Sequence, residues 1–350
     1  MLRVLTMLAA ILLATPVLAA PKPIAGAECG NPQPARCDGA ACVSGGALAQ
    51  SGNATDPATG RQFFLDFPCD LKPGEPVVFI LNIHGAGSFA NWQRHYFPAS
   101  DYAQKYRLVV ATPTAATSAS LPGVGGPAVR RWDAAADDAH LQNIAELVIT
   151  GFGQRNIRSF WLAGHSQGGA TSRRIACSAY FGPRVDGFLS LSGGRVGQAQ
   201  IVAQFGPPRA DGSPPPPRPT ADLLRADPAP ICDYSHIYTV GQYEIEALPA
   251  TSPLAARFGC EPRARRSDIA DVAAGHVWDY QRAGYKVWGT LARPGTAEEY
   301  VYPGCRGGRV VADVLRLGKG HTEGLEPKVT EELVRLIVKA PGGKVKKLKG

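Results

Sequence analysis

The stretch Gly164-His165-Ser166-Gln167-Gly168-Gly169 sets one serine among three glycines, directly after the apolar run Phe160, Trp161, Leu162. Glycine weakens helices and strands alike, so three at one spot need a physical reason. The pattern Gly-x-Ser-x-Gly is short, and a chain with 40 glycines meets it easily by chance. Its context carries the reading. A strand is expected over 159–164 and a helix over 168–180, joined by a turn too sharp for side chains at its flanks. Such a turn holds its central residue in a strained conformation and lifts the hydroxyl above the strand end. Gly164 and Gly168 let two backbones approach, and Gly169 lets the helix pack close. Ser166 is the candidate nucleophile.

A serine hydroxyl is a poor nucleophile until a base takes its proton. Where the nucleophile sits on a strand–turn–helix, its partners follow in the order serine, acid, histidine. Three histidines come later: His236, His276 and His321. His236 would open a strand at its N-terminal end, the wrong one, and His276 lies within a helical pattern. His321, in Gly-Lys-Gly-His-Thr-Glu-Gly, follows the last strand on a Gly-flanked loop and is the candidate base. No Asp or Glu occurs from Gly187 to Arg209, which excludes a local acid after the strand at 185–194. The next strand ends Val-Gly-Gln-Tyr-Glu-Ile-Glu, so Glu244 is the candidate acid and Glu246 the reserve. The fourth requirement is N–H donors for a tetrahedral oxyanion, each worth about 3 kcal/mol in the barrier. Gln167, the residue after the nucleophile, supplies one. Ile-His-Gly-Ala-Gly (83–87) supplies the other, from Ala86 or alternatively Gly87. His84 is expected to brace this loop and not to act on substrate.

These residues need elements to hold them. Strands are expected over 76–85, 106–114, 159–164, 185–194, 236–244 and 309–318. Helices are expected over 133–151, 168–180 and 327–340, with a further helical pattern over 264–286 (Ile269, Val272, Val277, Tyr280) covering a sheet face. Asp133, Asp137 and Asp138 sit near the start of the first helix, where the dipole favours them. Strands alternating with helices predict an α/β fold: a mainly parallel sheet with helices on both faces. Residues 206–230 hold nine prolines and read as an extended insertion, either a surface connection or a lid.

The bulk composition bounds the rest. Arg3, the apolar run Val4–Ala14 and the small residues Ala19 and Ala20 read as a secretory signal peptide over 1–20, too short and Pro-interrupted for a membrane anchor. Residues 21–75 form a Cys-containing arm and first strands, and 76–340 the main domain. Hydrophobic content of 45% with 19% charged residues excludes a disordered chain. Eight cysteines (29, 37, 42, 69, 177, 232, 260 and 305) in an exported chain predict disulfides, with connectivity open. A zinc site is the weaker reading, since there is no Cys-x-x-Cys pair and the histidines are scattered. The net charge is +8, but Lys344, Lys346, Lys347 and Lys349 follow a Pro-Gly-Gly breaker; without them and Arg3 the excess is +3. The segment 341–350 therefore reads as a solvated, mobile tail, and no nucleic-acid partner is expected.

The His-Gly loop, Gly-His-Ser-Gln-Gly-Gly and the late Gly-flanked histidine resemble the α/β-hydrolase superfamily. More narrowly they resemble the secreted esterases that include poly(3-hydroxybutyrate) depolymerases and feruloyl or acetylxylan esterases. Trp132, Asp137 and Asp138 correspond to that family's tryptophan and paired acids before the elbow. Gly304-Cys305, the strand Arg-Val-Val-Ala-Asp-Val-Leu-Arg-Leu-Gly and Gly318-Lys319-Gly320-His321 correspond to its C-terminal pattern. Two positions depart: the family usually has aspartate where this chain has Glu244, and often Trp-Pro-Gly where this chain has Thr322-Glu323-Gly324. The resemblance implies cleavage of carboxylic esters, polymeric ones included, by Ser166, His321 and Glu244, without metal or cofactor, outside the cytoplasm. A peptidase with the same triad and a non-catalytic binding protein on the same scaffold are the alternatives. Acyl and alcohol preference and oligomeric state are not written in these residues.

Overall fold

The computed structural model describes residues 24–27, 29, 52–116, 118–119, 129–197, 230–245, 247–278, 286–289 and 292–348. The signal-peptide segment, Cys37, Cys42, Glu246 and all but Pro230 of the proline-rich stretch lie outside them.

The chain folds around an 11-stranded sheet. Its strands are β1 (Ala54–Thr55), β2 (Gln62–Asp66), β3 (Val77–Ile83), β4 (Leu108–Pro113), β7 (Ile157–His165), β8 (Gly187–Leu191), β9 (Ser235–Gly241), β10 (Ala264–Arg265), β11 (Ile269–Ala270), β12 (Thr296–Val301) and β13 (Val311–Arg316); β5 (Ser118–Ala119) and β6 (Val129–Arg130) pair separately. The order is β1-β2-β4-β3-β7-β8-β9-β13-β12-β10, with β11 also on β12. From β4 to β13 every pairing is parallel, and the strands flanking that block are antiparallel. The parallel strands are apolar on both faces, as β3 (Val-Val-Phe-Ile-Leu-Asn-Ile) illustrates, because helices cover both sides.

One face packs under α3 (Ala134–Phe152) and α4 (Gln167–Ile175), with Leu141, Ile144, Ala145, Val148 and Ile175 in its core. The other packs under α1 (Ala90–Tyr96) and α6 (Pro327–Lys339), with Trp92, Tyr96, Leu333 and Ile337. Two shorter helices, α2 (Ala103–Tyr106) and α5 (Pro253–Arg257), complete the α-helices of the described residues. α3 starts at Asp133, whose carboxylate accepts from the N–H groups of Ala135 and Ala136 at 3.0 and 3.1 Å. This is the mainly parallel sheet with helices on both faces expected from the alternation of elements. Disulfides join Cys177 to Cys232 and Cys260 to Cys305, while the thiols of Cys29 and Cys69 lie within hydrogen-bonding reach of each other. No helix among the described residues is long and apolar enough to cross a membrane.

Two expectations need correction. Within 264–278 there is no helix; β10 and β11 pair with β12 instead. The apolar residues there share no buried face, since Val277 is buried while Val272 is 84% exposed. His276 accordingly sits outside any helix, its Nε2 3.9 Å from Asp101. Nor is the described part of the basic tail, 341–348, detached. Val345 is buried, Gln154 donates to the carbonyls of Val345 and Leu348 at 3.0 and 2.8 Å, and Lys344 Nζ donates to the carbonyls of Gly182 and Asp233. Counting charges missed this, because a lysine's stem and backbone can dock while its neighbours stay in water.

Candidate active site

β7 runs straight into α4, and Ser166 is the single residue between them. Its backbone is at φ 53°, ψ −117°, a region that costs a non-glycine residue about 1–3 kcal/mol. Two backbone bonds hold it there: Ser166 N–H donates to Leu191 O at 2.8 Å, and Ala170 N–H to Ser166 O at 3.1 Å. The three glycines are sites of close approach. A Cβ on Gly164 would fall 2.3 Å from the Gly168 carbonyl, one on Gly168 2.2 Å from Ile83 O, and one on Gly169 2.1 Å from Gly193 O. The elbow is thus wedged between the ends of β3 and β8, more tightly than a strand–helix turn alone requires.

The loop after β3 lies against this elbow. A Cβ on Gly85 would sit 3.1 Å from Ser166 Cβ and 2.7 Å from His165 Nδ1. Of the two alternative N–H donors in the loop, Gly87 is already committed, donating to Arg130 O at 2.7 Å. The Ala86 N–H makes no hydrogen bond among the described residues. Gln167 is the first residue of α4, so its N–H has no carbonyl one turn back to receive it.

His84 is wholly consumed in bracing. Ala115 N–H donates to its Nε2 at 3.0 Å, which leaves the proton on Nδ1, and that donates to Gly85 O at 2.7 Å. Burial pushes its pKa down to about 4, so the ring is neutral. Trp132 completes the brace: its indole N–H donates to His84 O at 2.7 Å, and its backbone N–H donates to Gln167 Oε1 at 3.0 Å. The two acids singled out beside Trp132 are structural. Asp137 is buried under Arg61 at 2.8 Å and accepts from Ala116 N–H and Asp133 N–H, whereas Asp138 forms a two-pronged pair with Arg174.

The loop between β13 and α6 carries His321, and the turn after β9 carries Glu244. His321 Nδ1 lies 2.6 Å from Glu244 Oε2, and both side chains are buried. Glu244 Oε1 accepts two further bonds, from Gly241 N–H at 2.7 Å and from the Ser192 hydroxyl at 2.8 Å. The His321 loop is fixed by its own backbone: His321 N–H donates to Val287 O at 2.8 Å and Thr322 N–H to Trp288 O at 2.7 Å. Beneath it, buried Glu326 joins Arg316 at 3.1 Å and Lys319 at 2.7 Å. Thr322-Glu323-Gly324 serves the same end, with the Glu323 carboxylate accepting from Gly320 N–H at 2.6 Å.

His165 couples the two halves. Its Nε2–H donates to His321 O at 2.9 Å, and the two rings lie 4.6 Å apart. Burial, aided by His321, holds His165 well below the ordinary histidine range, so it too is neutral. The residue preceding Ser166 therefore touches the residue that bears the imidazole. His236 is the second residue of β9, buried in the sheet between Phe188 and Val311. Sequence reasoning passed over Ser192, the bridging role of His165, and Tyr96 and Trp288, whose rings pack on His165 and His321 at 4.1 and 5.3 Å. Only the neighbouring serine-glycine run Ser192-Gly193-Gly194 hinted at a tight turn there.

Neither a family model nor a curated protein matches the chain. Among solved structures it is similar to an acetyl xylan esterase from Aspergillus awamori, at 13% identity and a TM-score of 0.39, covering 78% of this chain and 93% of that one. It is also similar to the S-formylglutathione hydrolase FrmB from Staphylococcus aureus (16% identity, TM-score 0.35, 53% of this chain and 76% of that). A third is FphF, a fluorophosphonate-binding serine hydrolase of Staphylococcus aureus (14%, TM-score 0.32, 53% and 75%). At such scores these likenesses decide nothing about chemistry; the residues have to.

Proposed function

We propose that this chain is an exported serine hydrolase of carboxylic esters. The observation that carries the reading is a buried carboxylate–imidazole pair, Glu244–His321 at 2.6 Å, on a loop held against a strained serine elbow through His165. With Nδ1–H given to Glu244, the His321 ring keeps its lone pair on Nε2, the atom that takes the Ser166 proton as Oγ attacks the ester carbonyl. Glu244 holds the imidazole in that tautomer and stabilises the imidazolium. The N–H groups of Gln167 and Ala86 receive the oxyanion, and His321 returns its proton to the departing alcohol. Water, activated by the same base, then releases the acid from Ser166. Two disulfides fit an oxidising compartment outside the cytoplasm. Esters of plant walls, polyesters or envelope components are the substrate classes that compartment offers.

A fluorophosphonate probe tests the core of this reading. Labelling of the wild type that vanishes in Ser166→Ala is expected; equal labelling of both proteins sinks it. Hydrolysis of short-chain nitrophenyl esters is expected to exceed that of peptide anilides, and the reverse order makes the protein a peptidase. Feruloyl, acetyl-xylan and hydroxybutyrate esters compared side by side identify the acyl group.

A further inference from the structure

Glutamate carries one more rotatable bond than aspartate, so a triad glutamate has more ways to swing its carboxylate off the imidazole. Glu244 is clamped against that freedom on the oxygen that does not face His321. Gly241 N–H holds Oε1 at 2.7 Å from its own turn, and Ser192 reaches it at 2.8 Å from 52 residues away in sequence.

Ser192 is placed there at a cost. It follows β8 directly, at φ 52°, where glycine is unstrained and serine is not. Its N–H is tied to Thr239 O at 2.8 Å, so the turn is already anchored by backbone. A carboxylate only accepts, hence the single hydroxyl proton of Ser192 goes to Glu244, and the buried Tyr96 hydroxyl, 3.4 Å from Ser192 Oγ, lies on its remaining side. Burial raises the Tyr96 pKa, so the phenol stays protonated and able to donate. A line of contacts runs Tyr96, Ser192, Glu244, His321.

The geometry points to Ser192 as a positioning residue: its hydroxyl locks the Glu244 carboxylate so that Oε2 faces His321 Nδ1. The inference rests on Glu244 being the triad acid. It also accounts for how a glutamate serves where the resembling esterases use aspartate, since the loop after β8, which holds no acid of its own, contributes a hydroxyl instead.

Ser192→Gly tests it, because glycine relieves the backbone while deleting the hydroxyl. On a short-chain nitrophenyl ester, Ser192→Gly and Ser192→Ala are each expected to lower kcat about tenfold with KM unchanged, the glycine variant melting no lower than wild type. In a Glu244→Gln background the same substitution is expected to cost no further activity. Full kcat in a stably folded Ser192→Gly, or an undiminished tenfold loss on top of Glu244→Gln, overturns the inference. If Glu244→Gln itself retains wild-type kcat, Glu244 is not the acid and both readings fall. If Glu244→Gln is impaired and Ser192→Gly is not, only the role of Ser192 falls.

Discussion

The described residues contain two buried carboxylate–imidazole pairs of almost the same length. Glu244 meets His321 Nδ1 at 2.6 Å beside the elbow, and Asp56 meets His140 Nδ1 at 2.8 Å where the turn after β1 docks on α3. The second pair even has a hydroxyl: Thr59 Oγ1 is 2.6 Å from Asp56 Oδ2. Its arrangement nevertheless leads nowhere. The Thr59 hydroxyl bonds the acid, not the far nitrogen, and His140 Nε2 is buried without a partner among the described residues. His140 is also fixed in the middle of a helix, whereas His321 rides a loop whose backbone carbonyl accepts from His165, the neighbour of Ser166. Burial would raise the Asp56 pKa, but hydrogen bonds from Thr59, His140, Ala58 and Asn143 win and hold it low. The lesson is that an acid and an imidazole make a fastener until a nucleophile stands at the second nitrogen.

Parallel substitutions put the contrast to the test. His321→Gln is expected to lower ester kcat by at least about 10⁴-fold with little change in melting temperature. His140→Gln is expected to keep kcat and melt several degrees lower, having lost a buried bond to a charged group. Swapped outcomes, seen by steady-state kinetics and calorimetry, would reverse the roles assigned to the two pairs. Glu244→Gln, which preserves shape but not charge, is expected to cost about 10³-fold in kcat. Asp56→Asn is expected to cost about 2 kcal/mol of stability, read from urea midpoints, and no activity.

Acid sharpens the comparison further. His84, His140, His165 and His236 all have pKa values lowered chiefly by burial, so each is neutral in the fold and gains a proton on unfolding. For a base with a depressed folded-state pKa, stability is complete above the unfolded value near 6.5 and drains as pH falls toward the folded value. With His84 at about 4, that residue alone removes about 3 kcal/mol between pH 6.5 and 4. Denaturation midpoints should fall steeply over this interval, and less steeply in His140→Gln. A flat profile would contradict the neutral, buried assignment of these rings. The smallest effect is expected from Gln167→Ala, which frees Trp132 from the elbow but leaves both backbone donors; kcat should drop a few-fold by ester assay.

Much of this was legible along the chain. The strands around 76–85, 106–114 and 159–164 announce themselves through unbroken apolar runs, and the elbow through glycines whose close contacts the structure displays one by one. His321 stood out because it alone among the later histidines follows a strand on a glycine-flanked loop. Ser192 did not, since nothing local distinguishes a hydroxyl that ends a strand from one that reaches a carboxylate on the next strand's turn. Residues 264–278 misled for a related reason. Apolar spacing predicts a helix only if one face is buried, and here β12 offers backbone hydrogen bonds instead.

Local chemistry therefore determined the parallel sheet, the strained serine and the short list of bases and acids, because periodicity and turn sterics act over a few neighbouring residues. Which acid met which imidazole was decided by tertiary structure alone. Strand order brings the ends of β8, β9 and β13 side by side, and a hydrogen bond between residues 77 apart in sequence depends on that packing and on nothing written near either of them.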